Sequence, residues 1–460
     1  MRRLSFLVFP AFLPGLLACN QQANGTVQII TGEETDTFTQ SPVPTKIEVL
    51  AVDGDDGGLT PLGSADYPTD TIDLGAQDQS AVATLEVEAL DSNGNELIYG
   101  ASVPVQYGAL DGETLPIFVQ RVGQNARLPD PPTDARQSPV LGVLSGRFLV
   151  VAGGADPSLS STTQVYDFGA FSLLGSPPTL PIAPTAMPIV DTVALLINAD
   201  GGEYYDFSQD AGESVTPPAG YGFADVDGGQ VIYDQSGQYI FVVGATRTTG
   251  SPTAAVLQID TTDTSNANYV TGNMTWITLS APRLGASAAW VPARGLVVAG
   301  GNATAGGVEL VAPSQTAGTQ LPYPPDPSVG AGMTSLDQQQ YVLVAGGILA
   351  DGTDAGVREI DLACGQNCAP VAWGGALPYP LTSCAAFTFD AADAFLVGSE
   401  TATGATPGLT HTFTLNSAGA TEVPTKVPHM NASAIVSPMQ SSILVYGGAD
   451  EIESFTPAPP

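Results

Sequence analysis

Positive charge is what this chain has least of. Twelve lysines and arginines stand against 46 aspartates and glutamates in 460 residues, a formal net charge of −34, and only Lys46 and Lys426 are lysines. Binding to a phosphate backbone needs basic patches that release counterions, so a nucleic-acid partner is excluded. The acidity itself reads as solubility in a salty or extracellular medium rather than as a dedicated cation site. Histidine is almost missing: His411 and His429 are the only two, and neither sits at ligand spacing from a cysteine, which argues against a zinc site. Charged residues of both signs make up only 13% of the chain, while 52 glycines and 38 prolines accompany 43% apolar residues. That mixture excludes long surface helices laced with ion pairs and favours short strands and many turns. The length supplies material for two or more domains.

Long apolar runs are scarce as well. The one at the start, residues 4–17, follows Arg2 and Arg3 and is broken by Pro10 and Pro14, so it reads as a secretory signal rather than a membrane span. It ends in Leu16-Leu17-Ala18-Cys19. This tetrapeptide resembles the lipobox of bacterial lipoproteins, in which the signal is cut before the cysteine and the thiol takes the lipid. The resemblance implies a signal peptide over 1–18, lipidation of Cys19, a short tether over 19–25 and attachment to the cell envelope. Asn20 lacks the aspartate associated with inner-membrane retention, which favours the outer membrane. Several acyl chains at about 0.8 kcal/mol per buried methylene would hold an otherwise soluble protein to a bilayer. An ordinary cleaved signal with an incidental cysteine is the alternative.

With Cys19 set aside, three cysteines remain. Disulfides persist in exported proteins, so Cys364 and Cys368, in ACGQNCAP, are expected to pair across a tight loop. Cys384 lies in an apolar strand and reads as a buried free thiol, with a Cys368–Cys384 bridge as the other possibility.

Residues 26–121 alternate with a period of two. In ATLEVEAL, Leu85, Val87 and Ala89 fall on one face and Thr84, Glu86 and Glu88 on the other, and the following Asn93-Gly94 suits a hairpin turn. With similar runs at TVQIIT, KIEVLAV, TIDL and LPIFVQ, about seven strands are expected. They suggest a small β-sandwich resembling immunoglobulin-like or fibronectin-type modules. Asp53, Asp55 and Asp56 in AVDGDDGGL have the spacing of a calcium loop, but Ser64 stands where the closing glutamate belongs, so a solvated hairpin loop is favoured. Residues 122–137, rich in proline and polar side chains, read as a linker.

Beyond the linker one motif returns. LVVAGG occurs at 149–154 and again at 296–301, with VLVAGG at 342–347 and LVYGG at 444–448; weaker copies are VALLINAD at 193–200, YIFVVG ending at Gly244 and AFLVG ending at Gly398. The intervals, about 45–55 residues, are those of four-stranded propeller blades. A strand of small and apolar residues and a polar turn come before each copy. A loop, a strand such as QVYDF or GVREIDL, and a polar segment with a proline-marked turn come after it.

This order of elements resembles the kelch repeat over about residues 138–457. The resemblance implies a β-propeller over 138–460, with seven blades favoured and six possible. Trp276, Trp290 and Trp373 are fewer tryptophans than kelch repeats carry, so aliphatic residues must do part of the packing. The last repeat stops after three strands, and the segment 126–131 resembles the fourth-strand ends of other repeats. Pairing of that segment with the last blade would cover the exposed edges.

Some kelch-type propellers are enzymes. A copper oxidase site needs two histidines and two tyrosines around the metal, which His411 and His429, 18 residues apart, do not suit. A sialidase Asp-box and a GxSxG elbow are missing, and no cofactor or metal site is expected. Arg247, Arg283 and Arg358 lie in or beside blade loops, where they would bind an anionic ligand or, as favoured, pair with nearby acids. Two classes of function remain. The favoured one is a lipid-anchored binding or scaffold protein whose propeller loops meet a protein or glycan, and the alternative is a metal-free propeller enzyme acting on carbohydrate.

Overall fold

A computed structural model of the chain describes residues 22–52, 58–262, 273–337, 339–389 and 392–459. Cys19, the signal segment and the Asp53, Asp55 and Asp56 loop lie outside these residues. The fold is all-β, with multiple four-stranded antiparallel sheets, a construction compatible with a β-propeller.

Nine strands precede residue 122. Three of them form one sheet, Thr71–Asp78, Gln22–Ile30 and Thr114–Phe118; six form another around Lys46–Val52 and Val82–Leu90. Alternation along each strand turns Val27 and Ile29 from the first sheet, and Ile47, Val49, Leu85, Val87 and Ile98 from the second, into one shared buried cluster. The strand Gln22–Ile30 begins inside the stretch that the sequence assigns to a tether: Ala23 is already buried. The small and polar residues Gln22 to Gly25 carry no hydrophobic alternation that would have revealed it.

Four-stranded sheets follow, seven among the described residues. Numbered in chain order, their first strands are Val140–Leu144, Ile189–Val190, Gln230–Tyr233, Ser287–Val291, Gly332–Ser335, Leu381–Thr388 and Ser433–Val436. Each apolar run of the LVVAGG type is the second strand of its sheet, as Phe148–Ala152 is in sheet one and Gly295–Ala299 in sheet four. A one-sided strand would alternate in polarity, but here successive residues bury opposite faces. Leu149 and Val151 join a cluster shared with sheet seven, while Val150 and Ala152 join one shared with sheet two. Burial on both faces explains the unbroken apolar run.

The same sharing continues around the molecule. Separate clusters join sheets two and three, three and four, four and five, five and six, and six and seven. Since sheet seven shares a cluster with sheet one, the order is cyclic. First strands also lie against their neighbours in this order for every pair but that of sheets two and three, and this includes sheets seven and one.

The paired glycines end the second strands in backbone that other residues rarely adopt. Gly300 has φ 86° and Gly301 φ 71°, and a Cβ on Gly301 would come within 2.9 Å of the Ala286 nitrogen. The chain entering the first strand of the sheet, Ser287–Val291, therefore lies directly against the turn.

Sheet seven takes its fourth strand from the other end of the sequence. Asn125–Arg127 pairs antiparallel with Ile452–Phe455, Asn125 standing opposite Phe455 and Arg127 opposite Glu453. The stretch 122–137 is thus no free linker: Leu128 and Arg136 in it are almost completely buried. Val103 and Phe118 of the N-terminal sheets enter the cluster between sheets seven and one, and Arg127 pairs with Glu34 at 2.9 Å. Strand, cluster and ion pair tie the N-terminal part to the place where the cycle closes.

Candidate functional site

Of the arginines singled out in the sequence, Arg283 and Arg358 are buried and Arg247 is half-buried. Arg283, 0% exposed, donates from Nη1 to the Gly300 carbonyl at 2.7 Å and from Nη2 to the Gly306 carbonyl at 2.6 Å, and its Nη2 lies 3.4 Å from Glu309 Oε2. Burial pulls its proton affinity below the usual guanidinium value, and Glu309 opposes that. Arg358 donates to Asp326 at 2.9 Å and to the Ser328 hydroxyl at 2.6 Å. Arg247 donates to the carbonyls of Ala224 and Ser251.

Arg283 belongs to a recurring seat. Arg136, four residues ahead of Val140–Leu144, donates to the Gly153 carbonyl at 3.2 Å and pairs with Asp134 at 2.6 Å. His429, four ahead of Ser433–Val436, sets Nδ1 3.1 Å from the Gly447 carbonyl and Nε2 3.3 Å from Glu453. In each case a buried cation-forming group meets the carbonyl of the first glycine of the pair, 17 residues on for the arginines and 18 for the histidine. In sheet five Ser328 stands at the corresponding position, four ahead of Gly332–Ser335, and Arg358 of the third strand donates to its hydroxyl. In sheets one, four and seven the seat thus holds the glycine pair 17 or 18 residues from a basic residue. Sequence reasoning missed Arg136 and His429 in this role, although that spacing was there to be found.

His411 lies between two carboxylates. Its Nε2 is 2.9 Å from Glu400 Oε1 and its Nδ1 2.8 Å from Glu422 Oε1, while the Tyr379 ring stacks on the imidazole at a centroid distance of 3.9 Å. Burial raises the Glu400 carboxyl, but the Thr406 amide and His411 outweigh it and hold the group below the ordinary value. Both ring nitrogens are engaged and one ring face is covered.

Cys364 and Cys368 are joined by a disulfide, and Cys384 is free and half-buried, its thiol pushed up to about 12 chiefly by burial. Such a thiol has little thiolate with which to act as a nucleophile or metal ligand. Trp276 donates to the Pro218 carbonyl at 2.8 Å and Trp290 stacks on Phe241, so both pack between strands. Among the described residues no group of three histidine, cysteine or acidic side chains is placed to hold a metal ion.

A cleft with a volume of about 610 Å³ lies between sheets six and seven. One wall is Thr421 and Glu422 of the outer strand of sheet six, Gly419–Glu422, continued by Val423 and Pro424 and joined by Thr414 and Asn416 of the strand beside it. Facing it are the closing strand at Asn125 and the tail 457–459. Phe455 and Phe389 supply the apolar floor, and Phe455 is stacked on Phe395 at 4.0 Å. Asn125 is 1% exposed; its Nδ2 donates to Thr412 and to the carbonyls of Val423 and Pro424, and its Oδ1 has no partner. Lys426 lines the cleft as well. Its backbone amide, with that of Val427, donates to the fully buried Glu453, which fixes the chain there. Its ammonium makes no ion pair among the described residues, although the chain has 46 acids.

Carboxyls held above their ordinary values lie elsewhere. On the larger N-terminal sheet Glu48 stands directly opposite Glu88, and Glu96 is pushed up to about 7 by burial, then by Glu88 and Glu86. A carboxyl with a raised folded value binds more protons folded than unfolded. Its contribution to stability is therefore lost as pH rises, here between about 4.5 and 7. Glu96→Gln should remove this slope and raise stability at pH 8 by about 1 kcal/mol, allowing for solvent at a partly exposed site. Urea titrations at pH 4 and pH 8 would show it; equal pH slopes for parent and variant would contradict it.

No protein-family model matches this chain, and no curated protein matches it.

Proposed function

We propose that this chain is a lipid-anchored cell-envelope binding or scaffold protein, built as a kelch-type β-propeller of seven blades carried on an immunoglobulin-like β-sandwich. The cyclic sharing of buried clusters by seven sheets supports the propeller reading, and one cluster between two N-terminal sheets supports the sandwich. The Cys19 lipobox supports the anchor and the outer membrane. Binding is favoured over catalysis by one observation: the groups best suited to chemistry already face protein acceptors. Both nitrogens of His411 and His429 do so, as do the guanidinium groups of Arg136, Arg283 and Arg358. What is left for a protein or glycan partner is the loops after the second strands, which differ from sheet to sheet, and the cleft beside Lys426.

The reading is tested by affinity capture from membranes. Intact lipoprotein should retain a partner that a version with residues 302–307 and 401–408 replaced by glycine-serine turns does not. Equal recovery by both would overturn it. A metal-free enzyme acting on carbohydrate is the second reading, favoured by the Tyr379, His411, Glu400 and Glu422 group; loss of oligosaccharide turnover in Glu400→Gln, with capture unchanged by the loops, would establish it instead.

A further inference from the structure

We propose that the cleft between sheets six and seven receives an extended peptide that adds to the free edge of Gly419–Glu422 and sets its C-terminal carboxylate against Lys426. This rests on reading the chain as a binding module and names the ligand of one site in it.

The edge is available for pairing. Gly419–Glu422 is the last strand of its sheet, joined to Thr410–Asn416 on one side only. The Val423 amide donates to the Thr412 carbonyl at 2.8 Å, so Val423 with Thr412, and Thr421 with Thr414, are the hydrogen-bonded pairs. Hydrogen-bonded and open pairs alternate in an antiparallel ladder. The amides and carbonyls of Ala420 and Glu422 consequently point away from their sheet. That accounts for Glu422 lining the cleft while its carboxylate lies on His411. An incoming strand would find the donors and acceptors that strand addition uses.

The ends and floor define what kind of strand fits. Asp393, Asn416 and Gly419 are mutually opposite at one end of the ladder, and Lys426 follows Val423 beyond the other. Four to five residues at about 3.3 Å each match the stretch from Gly419 to Val423, with Lys426 three residues further along the chain, so a carboxylate at that end requires the peptide to run parallel to Gly419–Glu422. Phe389, Phe455 and Val423 form an apolar floor suited to small apolar side chains. Lys426 is the one cationic side chain among the residues lining the cleft, where Asp393 and Glu422 are the acids, and a peptide carboxylate is a small anion that a single ammonium can hold.

The probe is a library of pentapeptides with small apolar residues and a free carboxylate, measured by fluorescence polarisation against the full chain. Members should bind with micromolar Kd. Amidation of the carboxylate, N-methylation of alternate peptide amides, and Lys426→Met should each weaken binding at least tenfold. Lys426 is exposed, so an unchanged melting temperature is expected of the variant. No binding by any member, affinity indifferent to amidation and to Lys426→Met, or neutral oligosaccharides occupying the cleft where peptides do not, would each overturn the proposal. If the library fails while loop replacement still abolishes capture from membranes, only this inference falls. If both fail, the binding-module reading falls with it.

Discussion

Replacing Arg283 with methionine should cost about 3–5 kcal/mol of stability, as expected when one partner of a buried ion pair is removed. Both side chains of the Arg283–Glu309 pair are completely inaccessible. The substitution would strand the Glu309 carboxylate with only the amide and hydroxyl of Ser280 as donors, and would leave the carbonyls of Gly300 and Gly306 without the guanidinium. Arg283→Lys would restore part of the loss, since an ammonium keeps the charge but cannot span several carbonyls as a planar fork does. Arg283→Met with Glu309→Leu should be less damaging than Arg283→Met alone, because the uncompensated charge goes with it. Urea denaturation measures all three, and a loss below about 1 kcal/mol for Arg283→Met would show that the seat does not hold sheet four. Arg147–Asp167 is the contrast: the arginine is 47% exposed, and breaking that pair should cost under about 1 kcal/mol.

The glycine motif and the cation seat also show why some of this fold can be read from sequence and some cannot. Leu149 to Gly154 announces a strand buried on both faces with a turn in backbone that other residues rarely adopt, because apolar content and backbone freedom are written in residue type. The weaker copies are weak for local reasons. Sheet two ends its second strand on Asn198, whose side chain accepts the amides of Asp200 and Gly201 and shapes the turn without paired glycines. Sheet six runs on through Ser399 to Glu400, where the carboxylate holds His411 and the Thr406 amide. Arg283 was visible as a rare cation, but whether it faced a ligand or a glycine carbonyl depended on which way the preceding turn aimed it. The cleft was not visible at all. Its walls come from residues near 125, 421 and 457, so only the closure of the cycle creates it.

Closure itself is exposed to the remaining prediction: Ala126→Pro should cost about 1–3 kcal/mol and open sheet seven. The Leu128 amide donates to the Ile452 carbonyl at 3.0 Å, and two residues back along the ladder Ala126 stands opposite Ser454 in the same hydrogen-bonded class. Proline there removes a donor from a strand only three residues long. The chain on either side is held by other means: Gly123 donates to Thr456, Gln120 Nε2 to the Ser454 carbonyl, and Asn125 reaches sheet six through Thr412. These contacts keep the N-terminal sheets nearby while the ladder fails, so the variant should remain folded elsewhere. Hydrogen exchange provides the readout. Amides of Ile452–Phe455, all buried in the parent, should exchange many times faster in the variant, while those of Gly295–Ala299 in sheet four stay protected. Uniform acceleration across all the sheets would mean that the cycle unfolds as one unit, and unchanged protection of Ile452–Phe455 would mean that the closing strand is dispensable. With the ladder open, the unpaired edge of sheet seven becomes a site for pairing with other chains, so concentration-dependent association should accompany the faster exchange.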